Sequence, residues 1–269
     1  MTGNRSRRCV VVTDDGGPGR TLASRLLDAG IDVRMLPVVS HAGAPDPGPL
    51  AAAIARLPEY AWVAFTSARG VEAVCQHDAW SRWPWADATR PLVAAVGPVT
   101  RTLLHARGVP VKLCPEAPGA RALARAMVAA EGGSLSGRTI FWPRSNIARA
   151  EFGEALLEAG AELVAPVAYC TLPRRPSNLE EVLGELEAGR IDGVAFLSPS
   201  GAAGLAAILP GGTLAALAGR AVVASVGPTT SAVLADLGAP AAVEAASRTA
   251  GDLAAALLSY FGSSGRQPS

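Results

Sequence analysis

The chain has 269 residues, 49% of them hydrophobic and 17% charged, which is enough apolar material for one large core or two of ordinary domain size and too much for a disordered chain. Lysine and arginine number 24 against 23 acidic residues, a net charge of +1, so no global field directs the chain to nucleic acid or to a membrane surface. Cys9, Cys75, Cys114 and Cys170 stand far apart with no paired spacing and no histidine cluster beside them, which argues against a metal site and against a disulfide framework.

The basic N-terminus MTGNRSRR leads into the short apolar run Cys9 to Val12 and then Asp14 and Asp15. That run is too short for a signal-peptide core, so a cytoplasmic protein is expected. A loop, GGPG at Gly16 to Gly19, follows this first strand, then LLDAGIDV (Leu26 to Val33) and LPVVS (Leu36 to Ser40). Next come VAFTSARGVEAV (Val63 to Val74), a proline-containing connection with Trp80, Trp83 and Trp85, and VAAVGPVTRTLLHARGVPV (Val93 to Val111). The tryptophans read as a packed surface loop, because only Arg82 and Arg90 interleave with them and a stacking platform needs more cationic residues.

The second half repeats the first at an offset of about 130 residues. LLEAGAEL (Leu156 to Leu163) matches LLDAGIDV, VAFLSPSGAAGL (Val194 to Leu205) matches VAFTSARGVEAV, and VASVGPTTSAVLADLGAPA (Val223 to Ala241) matches the segment from Val93. Within each copy a short valine-rich run, a turn of Gly, Pro, Ser or Thr, and a run of helical periodicity alternate, and Gly108 and Gly238 sit where a helix end favours a left-handed residue. The expected fold is α/β, with two similar parallel-sheet, flavodoxin-like domains joined by a two-stranded linker. Proline-bearing strand ends mark that linker at residues 36–40 and 165–173. An inserted domain is expected over 41–164, a discontinuous first domain over 1–39 plus 172–262, and a disordered tail over 263–269. The most apolar stretch, Gly201 to Gly227, is broken by Pro210, Gly211, Gly212 and Arg220, so no membrane span is expected.

In this order and spacing, FTSARGVEAV, VGPVTRTLLHARG, WPRSNIARAEFGEALLEAGAEL, VAYCT, LSPSG, VGPTTSAVLADLG and SRTAGDLAAAL resemble the uroporphyrinogen-III synthase family from about Val10 to Tyr260. The sequence departs from the pattern where many relatives have an Arg-Gly pair and this chain has Arg144-Ser145-Asn146. The resemblance implies two domains at the ends of a two-stranded linker, with the first built from both termini and the substrate in the cleft between them. It further implies a monomeric lyase of tetrapyrrole biosynthesis that needs no cofactor and no metal. Its substrate would be hydroxymethylbilane, a linear tetrapyrrole with eight carboxylates, which it would close with inversion of the last pyrrole and loss of water. A transient contact with the preceding deaminase is the partner to be expected, with no nucleic acid and no membrane.

A polyanionic substrate needs many hydrogen-bond donors, and helix N-termini supply them without ionised side chains. The turns at Thr66 and Ser67, Gly97 to Thr100, Ser198, Ser200 and Gly201, and Gly227 to Thr230 all precede predicted helices. They are the expected substrate-binding ends, with Arg69, Arg101, Arg144, Arg149 and Arg248 as charged partners because guanidinium matches carboxylate geometry. Asn146 joins this set through its loop. Taken singly, these serines and threonines also read as plain helix caps and the arginines as solvated surface residues. Tyr169, in the linker strand, matches the family tyrosine proposed to assist loss of the terminal hydroxyl. A phenol is a weak acid near neutrality, so its contribution should be modest; the plainer reading of Tyr169 is a packed linker aromatic. Isomer choice would then rest on holding the bilane folded, which is catalysis by orientation.

His105 has no Ser and Asp partners at triad spacing, and the chain lacks GxGxxG and GxxxxGK[ST]. These absences weigh against a hydrolase and against a phosphoryl or glycosyl transferase. The main alternative to the enzyme is a non-enzymatic two-domain tetrapyrrole or anion sensor on the same scaffold, and no DNA-binding appendage supports it.

Overall fold

A computed structural model of the protein describes residues 7–86, 89–117, 119–212 and 214–264. In chain order the elements are β1 (Cys9–Val12), α1 (Gly17–Asp28), β2 (Asp32–Met35), β3 (Val39–Gly43), α2 (Gly48–Ala55), β4 (Trp62–Phe65), α3 (Ala68–Cys75), α4 (Asp78–Ser81), β5 (Leu92–Ala95), α5 (Pro98–Ala106) and α6 (Ala120–Ala130). They continue as β6 (Thr139–Phe141), β7 (Arg144–Ser145), α7 (Glu151–Glu158), β8 (Glu162–Val164), β9 (Val167–Pro173), α8 (Leu179–Glu187), β10 (Gly193–Phe196) and α9 (Pro199–Ile208). The last are α10 (Ala215–Ala218), β11 (Val222–Ser225), α11 (Pro228–Asp236), β12 (Val243–Glu244) and α12 (Ala250–Ser264).

The chain forms two compact units, one of Met1–Ser40 with Leu172–Ser269 and one of His41–Thr171. In the first unit five parallel strands lie in the order β2-β1-β10-β11-β12, the 2-1-3-4-5 arrangement of a doubly wound sheet. The second unit has β8-β6-β4-β5, also parallel. There Leu113 bridges Ala94 in parallel where β12 stands in the other unit. The duplicated sequence therefore folds into the same sheet twice.

Each sheet is covered on both faces. Along β1, Cys9 and Val11 enter one apolar cluster with Phe196 and Leu205, while Val10 and Val12 enter another with Leu22 and Leu257. Along β4, Val63 and Phe65 pack with Leu104 and Phe141 on one side, and Trp62 and Ala64 with Leu123 and Phe152 on the other. Alternation within wholly buried strands is why β1, β4 and β10 read as uninterrupted apolar runs.

Three expectations need adjustment. Trp80 and Trp85 are not a surface loop: they are 1% and 6% exposed, Trp80 meets Phe65 edge-on at 5.6 Å and Trp85 lies 4.4 Å from Trp80. Burial of so much aromatic area outweighs the loop character of the surrounding prolines. The strands expected as the linker start later than the proline-marked segments, since β3 begins at Val39 and β9 at Val167; Pro37 and Pro166 lack the amide a ladder requires. At the C-terminus α12 runs through Ser264, and residues 265–269 lie outside the described residues. No described helix is long and apolar enough to cross a membrane.

Candidate functional site

Four helix starts follow the carboxyl ends of β4, β5, β10 and β11, two in each unit. In α3, Ser67 is the N-cap with φ −160° and ψ 152°, and its Oγ accepts the Gly70 N–H at 3.1 Å. In α9, Ser198 does the same for Gly201 at 3.0 Å, with φ −158° and ψ 155°. Gly97 and Gly227 cap α5 and α11 without a side chain, each followed by proline at the first helical position. Proline has no N–H, and in α5 Arg101 N–H is bonded to the Gly97 carbonyl at 3.0 Å, so helix geometry leaves the amides of Val99 and Thr100 as the outward donors.

Within the second unit the Ser67 cap does more than close a helix. Its Oγ lies 3.0 Å from the Tyr169 hydroxyl, so this β9 tyrosine rests on the start of α3. Thr66, one residue earlier, accepts the Trp142 indole N–H at 3.0 Å, which pins the turn to the neighbouring strand end. Gly70 is needed here because an added Cβ would come 3.1 Å from the Pro143 carbonyl oxygen. Tyr169 lines a pocket of about 490 Å³ together with His41, Arg69, Glu72, Gln76 and His77. A hydrogen-bonded phenol, a guanidinium and two imidazoles thus share one concavity.

The Arg144-Ser145-Asn146 segment is used for structure. The ladder between β7 and β9 is irregular between Arg144 and Ser145. Asn146 bridges the irregularity: its Oδ1 accepts the Thr171 N–H at 2.8 Å and the Ser145 hydroxyl at 3.1 Å. Arg144 donates to the carbonyls of Ala165 at 3.1 Å and Ser145 at 3.3 Å, with its guanidinium 5.9 Å from the Trp142 ring centroid. Arg149 pairs with Glu151 at 3.5 Å, both half-exposed, a surface pair of small energetic weight.

In the first unit, Ser198 Oγ also lies 3.0 Å from Ser200 Oγ. Gly227 donates its amide to Ser225 Oγ at 3.3 Å. Arg248 has φ 60°, the described non-glycine residue with a left-handed backbone, and its Cγ lies 3.0 Å from where a Cβ on Gly227 would be. Its side chain therefore covers the start of α11. At α1 the Asp14 carboxylate accepts the amides of Gly16 at 3.2 Å and Gly19 at 3.0 Å.

Of the residues singled out by sequence, Thr66, Ser67, Arg69 and Tyr169 gather in the second unit, and Ser198, Ser200 and Gly201, with Gly227 and Arg248, stand at helix starts of the first. Thr100 and Thr230 point inward, 4% and 2% exposed, so only their backbones face the turn. Arg101 is exposed. His41, Glu72, Gln76 and His77 were not singled out by sequence; Glu72 and Gln76 follow Arg69 at spacings of three and seven, but His41 and His77 have no local signal. Among the described residues no group of three or more His, Cys, Asp or Glu could hold a metal ion.

The family model described as uroporphyrinogen-III synthase HemD matches residues 20–255. A uroporphyrinogen-III synthase from Synechococcus elongatus is 26% identical over 243 residues, covering 88% of this chain and 89% of the relative. Among solved structures, a mutant uroporphyrinogen III synthase from Thermus thermophilus aligns with a TM-score of 0.68 at 17% identity over 97% of this chain and 100% of that one. The uroporphyrinogen-III synthetase from Helicobacter pylori 26695 aligns with a TM-score of 0.54 at 16% identity, covering 95% and 100%. At those identities the structures establish a shared fold.

Proposed function

The chain belongs to the uroporphyrinogen-III synthase family, lyases of tetrapyrrole biosynthesis, and from that premise we propose that it closes hydroxymethylbilane with inversion of the last pyrrole and that Tyr169 assists the departure of the terminal hydroxyl. The observation that carries the assignment of Tyr169 is its 3.0 Å contact with Ser67 Oγ. Ser67 already accepts the Gly70 amide. When its own proton is given to the phenolic oxygen, the phenolic O–H is left to point at the ligand.

The substrate's carboxylates are met by the amides at the starts of α3, α5, α9 and α11 and by Arg69, Arg101 and Arg248. Arg144 and Asn146 support the fold around them. Such distributed contacts hold the bilane in one shape, which selects the attacking carbon without a strong acid or base. A cytoplasmic setting and a brief encounter with the deaminase that makes the substrate complete the reading. The encounter is supported by the reactivity of a bilane that closes unaided to the uninverted isomer.

The test supplies freshly made hydroxymethylbilane, then oxidises and separates the products. An excess of isomer III over isomer I is expected; isomer I alone, at the spontaneous rate, would refute the assignment.

A further inference from the structure

The proposed reaction has a second proton transfer after the one that Tyr169 makes. Its phenol gives one proton as the C–O bond of the hydroxymethyl group breaks and the oxygen leaves as water. The last C–C bond then forms at a pyrrole α-carbon that still carries hydrogen. For that ring to regain aromaticity its C–H bond must break, the electron pair returning to the ring and the proton passing to an acceptor. Delivery of that proton to the phenolate restores Tyr169 for the next turnover.

We infer that His41 is this acceptor, an assignment that rests on the reading above. Tyr169 and Thr171 alternate along β9 and so share one face. Thr171 Oγ1 lies 3.2 Å from His41 Nδ1, and the His41 and Tyr169 ring centroids are 6.4 Å apart, tilted by 59°. Both rings line the same pocket. When Nδ1–H is donated to the threonine hydroxyl the basic lone pair lies on Nε2, and the bond orients the ring. Thr171 is fixed in turn by Asn146, which accepts its amide at 2.8 Å. The segment that departs from the family pattern therefore anchors the threonine that positions the imidazole. The titratable and charged groups lining the pocket with His41 are Tyr169 on β9, Arg69 and Glu72 on α3, and His77 beyond it. His41 is the imidazole held against the tyrosine's own strand.

The test compares wild type with His41→Asn, whose amide can occupy the Nδ1 position and keep the bond to Thr171 while removing the base. Turnover is measured across pH, with substrate carrying hydrogen or deuterium at the α-carbon that loses its proton. A fall in kcat of about tenfold or more, with KM changed by less than about twofold, is expected for general-base loss. The acid limb of the kcat profile should disappear, deuterium should slow the variant more than the wild type, and the product should remain isomer III. A His41→Asn enzyme that keeps wild-type kcat and the same acid limb overturns the inference. Should that variant fail to fold by circular dichroism, Thr171→Val decides: it keeps the ring and removes its anchor, so a lowered kcat with the acid limb retained supports the role and an unchanged kcat refutes it. A wild-type protein that yields no excess of isomer III defeats the reaction itself, whereas an indifferent His41→Asn in an active enzyme defeats only this assignment.

Discussion

Ser67 and Ser198 occupy matching places in the two units, with backbone angles that agree within a few degrees and the same bond to the amide three residues ahead. They differ in the second partner of the hydroxyl, which is Tyr169 for Ser67 and Ser200 for Ser198. Removing either cap should cost about 1 kcal/mol of stability. Only Ser67→Ala should also release the phenol. Denaturant titrations are expected to shift alike for Ser67→Ala and Ser198→Ala, while kcat falls distinctly further in the former; equal kcat values would break the link between Ser67 and Tyr169.

Tyr169→Phe removes the proton donor and keeps the ring. Turnover should fall, by at most the ~10²-fold at the low end for general acids, with isomer III still dominant because orientation is left intact. Product chromatography at matched conversion checks this. A folded variant with no activity would contradict control by position.

The two glycine caps should respond differently to a methyl group. At Gly97 an added Cβ meets nothing within 4 Å and φ is an extended −179°, whereas at Gly227 it would press on Arg248 Cγ at 3.0 Å. Gly97→Ala is therefore expected to leave KM close to wild type. Gly227→Ala should displace the Arg248 side chain and raise KM severalfold, roughly the loss of one charge-assisted hydrogen bond. Steady-state kinetics on the pair decide, and equal KM values would remove Arg248 from the substrate's path.

Acid stability has an identifiable contributor in the second unit. Glu131 is held below the usual carboxylate range, first by the Trp62 indole N–H at 2.8 Å and then by Arg138. A depressed carboxyl contributes stability that is complete above its unfolded value, near 4.3, and is lost as pH falls through the folded value. Glu131→Gln should cost about 1 kcal/mol at pH 7, the exposed Arg138 adding little. That difference should shrink toward zero as the pH drops below about 4. Urea unfolding of both proteins at several pH values measures it.

Much of this architecture was legible in the chain because it is local and repeated. The strand before each cap, the Ser or Gly at the cap itself and, in all but the Ser67 cap, the proline that follows lie within a few residues of one another, and the second copy confirms the register. What escaped reading is long-range. His41 meets Thr171 across 130 residues of chain, and no spacing rule links two strands that far apart. The inward turn of Thr100 and Thr230 follows from their third position in the helix, where the side chain faces the sheet and not the loop. Asn146 looked like a ligand group because it is polar and in a loop, yet an irregular ladder creates unpaired backbone groups that a side-chain amide fills. Trp80 and Trp85 were masked by neighbouring prolines.

Asp14 closes the start of α1 from within the chain. A stretch such as Gly-Gly-Pro-Gly after a strand invites comparison with nucleotide-holding loops, but here the socket is plugged by the protein's own acid. Phosphorylated metabolites should find no seat at that end, and an inhibitor search built on phosphate mimics would be aimed at a position already taken. Unplugging it with Asp14→Ala would expose bare amides and invite adventitious anions, a liability to be avoided when variants of this chain are made.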